Sequence, residues 1–508
     1  MSWKNFSPKE AEGADVIIIG SGMSGLCCAA LLGKRGKRVV VLEQHDIAGG
    51  HIHSFKQGTE WVNAGWHYVG TLRSISRVLW DEITDKMPMK ETAADEIVDT
   101  NYGHPGLSKN TYSEAMGGIP VKEFRRVSDY WTSIVIVKLA PAIVAAVFWF
   151  WFWATGKLKE AMMPYGAWCR KHAKNWTKAE DNEVWWTQRG DHGMPRDQTT
   201  AIVGCAVAGH YAFGVGYPEG GTYEAVVRMC KTVKARGGSV LVKAKVDEIA
   251  LAEDKKTVKG VVVGSHLVEA PIVIVAGAWT LTQLLPKERV PKTLKAVVEK
   301  CGPSPQHGCV FITLAGETRD SIGMPTGNVW YKDKFFFSHK QTKTGVVVYA
   351  IWESSYYGRG AGYEDRKEDE AKAATDTLYK LFPKLKEAIV RLEKSGVADA
   401  TTYDASTPAT SQHYLQSWQG GSYGLAITRE RCGDYKTIRA LKPEVDGFKG
   451  LFLTGQDLML PGVMSALMAG AVTAQAIVYP GWKGLFGNLL VELGKEYQAQ
   501  ASAAKKAS

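Results

Sequence analysis

The sequence predicts an α/β fold, and three consecutive features near its start predict it. Asp15–Gly20 (DVIIIG) is a short apolar, β-branched run of the kind that forms a buried parallel strand. Gly20-Ser21-Gly22-Met23-Ser24-Gly25 follows at once. A helical stretch, LCCAALLGKRG, then leads into a second strand, RVVVLE, which ends on an acid, Glu43. Together they make a Rossmann-type βαβ unit. Gly20 permits the tight turn and Gly22 lets a pyrophosphate approach the backbone. Met23 and Ser24 open the helix whose N-terminus would hold the phosphates, and Gly25 lets helix and strand pack closely. Glu43 would accept from ribose hydroxyls. A bare GxGxxG is weak evidence, but here strand, helix, second strand and acid fall in the required order.

At 508 residues the chain exceeds what a single core organises, so two or more lobes are expected. Its 45% hydrophobic and 22% charged residues are those of an ordinary folded protein. The net charge of +10 admits a nucleic-acid binder or a protein on an anionic lipid surface. Lys and Arg are spread along the whole chain without a dense stripe, which excludes nucleic acid and favours the membrane. Eight cysteines show neither CxxC nor metal spacing and read as reduced, mostly buried thiols facing a reducing compartment. The first residues, MSWKNFSPKEAEGA, lack the apolar stretch of a secretory signal. His51 and His53 have no accompanying ligand cluster, so no metal site is expected. Ser21 lacks the GxSxG elbow of a nucleophile, and Glu364–Lys372 reads as a solvated helix face.

One segment stands apart. Ser133–Ala154 (SIVIVKLAPAIVAAVFWFWFWA) carries a single charge, Lys138, and a proline at 141. A span needs about 20 apolar residues, which this run only just supplies. Its aromatic block, with Trp149, Trp151 and Trp153, suits the interface, so a helix lying in one leaflet is expected. Arg125, Arg126, Lys138, Lys157 and Lys159 would flank it among anionic head groups. A buried core helix is the alternative.

Beyond Glu43 come Gly49-Gly50 and then HIHSF. This extension resembles the amine oxidase and phytoene desaturase superfamily of FAD enzymes, where the second glycine pair runs along the cofactor. Residues 450–478 (GLFLTGQDLMLPGVMSALMAGAVTAQAIV) resemble the closing FAD motif of that superfamily. There Asp457 would lie near the diphosphate and ribityl chain, just past Gly455, with the helix from Val463 pointing at the isoalloxazine. Tyr217-Pro218-Glu219-Gly220-Gly221 and the strands that end at Ala276-Gly277 resemble its sheet extension, with Val246 beside the adenine. GWHYVG (65–70), GDHGMP (190–195), Gly209-His210-Tyr211, Thr407–Thr410 with His413-Tyr414, and GSYG (421–424) narrow the match. Occurring in that order, they resemble the retinol saturase and carotenoid isomerase group, from about residue 14 to about 480. The sequence departs from many desaturases in having His51 where they have Arg, and it carries His53-Ser54-Phe55 next.

The resemblance implies a Rossmann-type FAD-binding domain assembled from discontinuous segments (11–80, 218–290, 435–480). An inserted α+β substrate and membrane-facing domain takes 81–217 and 291–434, and 481–508 form a tail. Cofactor contacts would come from Gly20, Gly22, Met23, Ser24, Gly25, Glu43, Gly49, Gly50, His51, Val246, Gly277, Gly455, Asp457 and Val463. The implied activity is redox chemistry at a C=C bond of a lipophilic polyene isoprenoid. Saturation of the retinol type comes first, and carotenoid cis–trans isomerisation or desaturation second. Saturation needs a hydride on one carbon and a proton on the other. His53, His67, Tyr68 and His413 are the candidate proton donors. No second GxGxxG occurs, so NAD(P)H would act as electron donor only indirectly. The expected setting is a monotopic or peripheral position on the reducing side of an intracellular membrane such as the endoplasmic reticulum or a plastid. A rival reading is an FAD-binding structural or assembly subunit of a membrane complex.

Overall fold

The computed structural model describes residues 2–92, 98–102, 110–111, 119–172, 198–331, 334–481, 483 and 488–507. The GDHGMP segment at 190–195 lies outside them. The first layer is a six-stranded parallel sheet in the order Lys4–Asn5, Ser239–Val242, Val39–Leu42, Val16–Ile19, Ile272–Ala276, Leu451–Thr454. Its inner strands are apolar throughout because helices and a three-stranded meander (248–269) cover both faces. The helix Met23–Lys34 packs against Val463–Val478 closely enough that a Cβ at Gly470 would lie 2.4 Å from the Ser24 carbonyl oxygen. Glycine is the residue that admits this approach.

The second layer is a mixed seven-stranded sheet in the order Thr401–Ser406, Gln306–Ala315, Gly345–Ser354, Phe335–Gln341, Val329–Tyr331, Val98–Tyr102, Asn110–Thr111. Period-two alternation divides its faces. Val346, Val348, Ala350 and Trp352 meet the helices Tyr363–Leu381 and Pro383–Lys394. Val347 and Tyr349 turn the other way, with Cys309 and Phe311. The fold is therefore α/β, a Rossmann-type parallel sheet joined to a second, mixed layer.

A helical unit completes the molecule, and here the sequence reading needs correction. The apolar run 133–154 is two helices, Tyr130–Leu139 and Ala142–Ala154, broken at Pro141. Among the described residues no helix is long and apolar enough to cross a membrane. Lys138 does not flank a lipid surface. It is buried, and its Nζ donates to the Leu441 carbonyl at 2.5 Å. Arg126 is held by Glu160, at 2.6 and 2.8 Å, and Arg125 lies over the Phe213 ring. Trp149 packs inward against Phe152 and Tyr435. Ile143, Val147, Phe150, Trp151 and Trp153 face outward, and Ile143 is 74% exposed. The tail contains the helix Leu489–Ala507, whose Leu489 and Leu493 join the core beneath Met23–Lys34. All eight cysteines are buried free thiols.

Candidate functional site

Parallel strands present their carboxyl ends on one edge, and the loops leaving that edge make the natural ligand crevice. In this molecule those loops line a cavity of about 770 Å³. Gly20 leaves the first strand at φ +101° and Gly49 carries φ +127°, both left-handed conformations that disfavour a side chain. A Cβ built on Gly25 would sit 2.1 Å from the Gly20 carbonyl oxygen, so Gly25 serves helix–turn packing and lies behind the cavity wall. A Cβ on Gly22 would meet nothing within 4 Å and would stand at the lining of the cavity. That is a cradle a side chain would fill, and it fits a dinucleotide pyrophosphate at the N-terminus of Met23–Lys34.

Glu43 is buried at the end of the second strand. Its Oε2 accepts from the Ser21 amide (2.9 Å) and the Ser21 hydroxyl (2.7 Å), and its Oε1 from the His45 amide (3.0 Å). The Ser21 Oγ in turn accepts from the Gly49 amide at 2.9 Å. Ser21 thus joins the first glycine loop, the acid and the second glycine pair. Sequence reasoning considered it only as a nucleophile. Its signal was available, since a hydroxyl between two glycines of the loop has backbone amides on both sides.

Asp457 is also buried, and both of its oxygens are taken. Oδ2 accepts from the Ala278 amide (2.7 Å) and Oδ1 from the Leu425 amide (2.8 Å). The carboxylate therefore ties three segments of cavity wall together. Gly424, at φ +71°, packs so tightly on it that a Cβ would lie 2.3 Å from Oδ1. Beneath it the buried Arg431 donates to the carbonyls of Leu425, Gln456 and Met459, the last two at 2.7 and 3.2 Å.

Met23, Ser24, Gly50, His51, Val246, Gly277, Gly455 and Val463 all line the cavity, as do His67 and Tyr68. His53 and His413 do not. The His53 Nδ1 is bonded to the Gly50 carbonyl at 2.6 Å behind the wall, and His413 is exposed on the helix Pro408–Leu415. His210, of the Gly209-His210-Tyr211 motif, also lines the cavity, although its residue type and spacing alone do not mark it as a site residue, and it accepts from the Gly70 amide through Nε2 at 2.9 Å. Burial lowers all four enclosed rings: His51, His53 and His210 to about 4, and His67 to about 3. At neutral pH they are uncharged. The His67 Nδ1 is buried without a partner, and its ring stands edge-on to Tyr349, 4.7 Å away.

The far part of the cavity is aromatic and aliphatic, walled by Trp131, Val207, Tyr211, Trp330, Phe336 and Ile351. A glycine cradle at the carboxyl edge of a parallel sheet, opening into an apolar chamber, is the geometry of a protein that binds a nucleotide cofactor beside a hydrophobic site. A family model described as FAD dependent oxidoreductase matches residues 15–476, and the chain belongs to that family. FAD is its cofactor.

The chain is 28% identical to the all-trans-retinol 13,14-reductase of Danio rerio, over 92% of this chain and 86% of that one. It is likewise 28% identical to the protein of that name from Homo sapiens, over 92% and 86%. Among solved structures, cyclohexylamine oxidase from Brevibacterium oxydans IH-35A aligns with a TM-score of 0.61 at 16% identity, covering 92% of this chain and 99% of that one. That likeness concerns the fold.

Proposed function

We propose that this FAD oxidoreductase saturates a C=C bond of a lipophilic polyene isoprenoid alcohol of the retinol class. The observation that carries this reading is the continuity of the glycine cradle with the aromatic chamber in a single cavity. Similarity to all-trans-retinol 13,14-reductases over most of the chain supports it.

The residues present fit FAD. Gly20, Gly22, Met23, Ser24, Gly49 and Gly50 would hold the diphosphate, Glu43 the ribose and Val246 the adenine. His51, Gly277, Gly455, Asp457 and Val463 would complete the wall, with Gly25 supporting the turn from behind. When bound, the flavin supplies hydride transfer to or from carbon. The chain must then exclude water, orient the polyene and deliver a proton. Neutral imidazoles are poor acids, so Tyr68 is the stronger candidate for the proton. His67 would orient through a hydrogen bond, while His53 and His413 stand away from the reacting groups.

The neutrality of the four rings also favours a second reading, carotenoid cis–trans isomerisation, which needs no net proton. Electrons would reach the flavin from NAD(P)H through a separate reductase. The outward face of Ala142–Ala154, with Lys159 exposed beside it, would rest in one leaflet on the reducing side of an intracellular membrane.

The test is anaerobic incubation of dithionite-reduced protein with all-trans-retinol and with carotenes, followed by chromatography and mass analysis. A product two hydrogens heavier supports saturation, and one of unchanged mass supports isomerisation. A reduced flavin that no polyene reoxidises, with every polyene recovered unchanged in mass and geometry, would favour an assembly subunit and sink the enzyme reading.

A further inference from the structure

The segment Pro408–Leu425 crosses the carboxyl edge of the parallel sheet and touches the loops that leave three of its strands. Just past Leu42, Gln44 donates through Nε2 to the Tyr414 carbonyl at 2.8 Å, and the His45 ring lies 5.0 Å from that of Tyr414. Just past Ala276, Trp279 stacks on Trp418 with ring centroids 4.4 Å apart and planes 6° from parallel. Just past Thr454, Asp457 accepts from the Leu425 amide. Strands Val39–Leu42, Val16–Ile19, Ile272–Ala276 and Leu451–Thr454 are neighbours in that order, so the segment runs across the strands over the glycine cradle. Leu415, Trp418 and Tyr423 turn toward the cavity, while Gln412 and His413 face outward.

The two kinds of attachment differ. The Leu425 end is deeply fixed: Asp457 is buried, and the adjoining Ser304 binds the Tyr423 amide at 2.8 Å. The middle is held near the surface by the indole pair, the Gln44 side-chain amide and the His45 ring against Tyr414. Trp418 is flanked by Gln416 and Gln419, non-glycine residues at φ +50° and +49°. Such backbone persists only where surrounding contacts over-determine it, and here the indole stack acts with the Gln416 amide on the Gln412 carbonyl and the Gly421 amide on the Trp418 carbonyl, both at 3.0 Å.

We propose that Pro408–Leu425 is a strap that retains FAD, with Trp279–Trp418 and Gln44–Tyr414 as its releasable latches and Asp457 as its hinge. Trp279, Trp418 and Gln44 are then cofactor-retaining residues, acting on how long FAD stays bound. The inference rests on FAD binding and not on the polyene reading, so it stands or falls separately from the substrate.

Flavin-loaded protein is diluted, and release is followed by the rise of free-flavin fluorescence. Trp418→Ala should speed release at least about tenfold, the worth of an aromatic pair with its buried surface. Trp418→Phe, which can still stack, should stay near wild type, and Gln44→Ala should give a smaller acceleration. Near-ultraviolet circular dichroism reports loss of the coupled indoles independently of activity. Release from Trp418→Ala within about twofold of wild type, with the indole signal lost, overturns the proposal. Should that variant fail to fold, wild-type protein decides. Chymotryptic cleavage at Tyr414, Leu415 and Trp418 should be slower with FAD than after its removal, and equal rates overturn the strap.

Discussion

Lys138 donates its ammonium proton to the carbonyl of Leu441 from within the most lipid-like stretch of the chain. Burial, and then the neighbouring Arg431, lower it to about 7. Arg439 reinforces the joint by donating to the carbonyls of Val137 and Ala140 at 2.7 and 2.8 Å, capping the helix that Pro141 ends. The break between the two apolar helices is thus clamped to the residues around 431–441.

Membrane binding should follow exposure and not tryptophan content. Ile143, Val147, Phe150 and Trp153 replaced together by Ser should lower partition into anionic liposomes by at least ~100-fold. A large apolar side chain contributes roughly 1.5–3 kcal/mol when fully buried. Trp149→Ser should instead lower the melting temperature, because Trp149 fills the space against Phe152 and Tyr435. Lys138→Gln should leave liposome partition unchanged. Cosedimentation and thermal melts check all three, and equal liposome loss from Trp149→Ser alone would undo the assignment of faces.

Two glycines of one motif should fail differently. Gly22→Val places its side chain in open cavity and should abolish flavin binding with the melting temperature of the flavin-free protein retained. Gly25→Ala drives a methyl onto the Gly20 carbonyl and should destabilise the fold itself. Flavin absorbance per protein and thermal melts of stripped samples separate the outcomes. Full flavin content in Gly22→Val would contradict the cradle.

Tyr68→Phe should slow polyene reduction on the order of 10²–10⁴-fold, the usual worth of a positioned acid, with flavin content unchanged. His67→Gln should cost less, and the rate should show no inflection near pH 6.5. An inflection there that disappears in His67→Gln would return the proton to the imidazole.

The enclosed histidines should make the protein acid-labile. Each has a folded value below the unfolded 6.5, so between about 6.5 and about 4 the unfolded chain binds more protons and stability falls as pH falls. His53, which stands behind the cavity wall, should contribute roughly 3 kcal/mol over that window. His51, His67 and His210 line the cavity and act in the same direction. Denaturant midpoints measured from pH 7 to pH 4 should decline, and His53→Phe should flatten the curve.

What the sequence shows and hides follows the range of the interactions. Gly20, Gly22 and Glu43 are legible because a tight turn, an open cradle and a strand-end acid impose residue types at fixed local spacing. The α/β class follows from the same spacing. The stack of Trp279 on Trp418, the Arg431 carbonyl cluster and the inward turn of Trp149 join residues far apart in the chain, and no local periodicity encodes them. Composition alone made Trp149, Trp151 and Trp153 equivalent. Packing against Phe152 and the distant Tyr435 distinguishes Trp149 from the exposed pair.

The parallel sheet also governs the protein's synthesis. Val16–Ile19 pairs with Ile272–Ala276, which in turn awaits Leu451–Thr454. At ribosomal rates of about 5–20 residues per second, the first glycine loop precedes its last partner strand by some tens of seconds. From the moment Ile272–Ala276 is made until Leu451–Thr454 follows, it is an open edge, and the Asp457 tie does not exist. A nascent chain halted before residue 451 should retain no flavin, while one extended past the helix Val463–Val478 should. Flavin capture should therefore await the last strand and the helix behind it, and cells starved of flavin at that moment would present chaperones with a nearly complete sheet around an unfilled cradle.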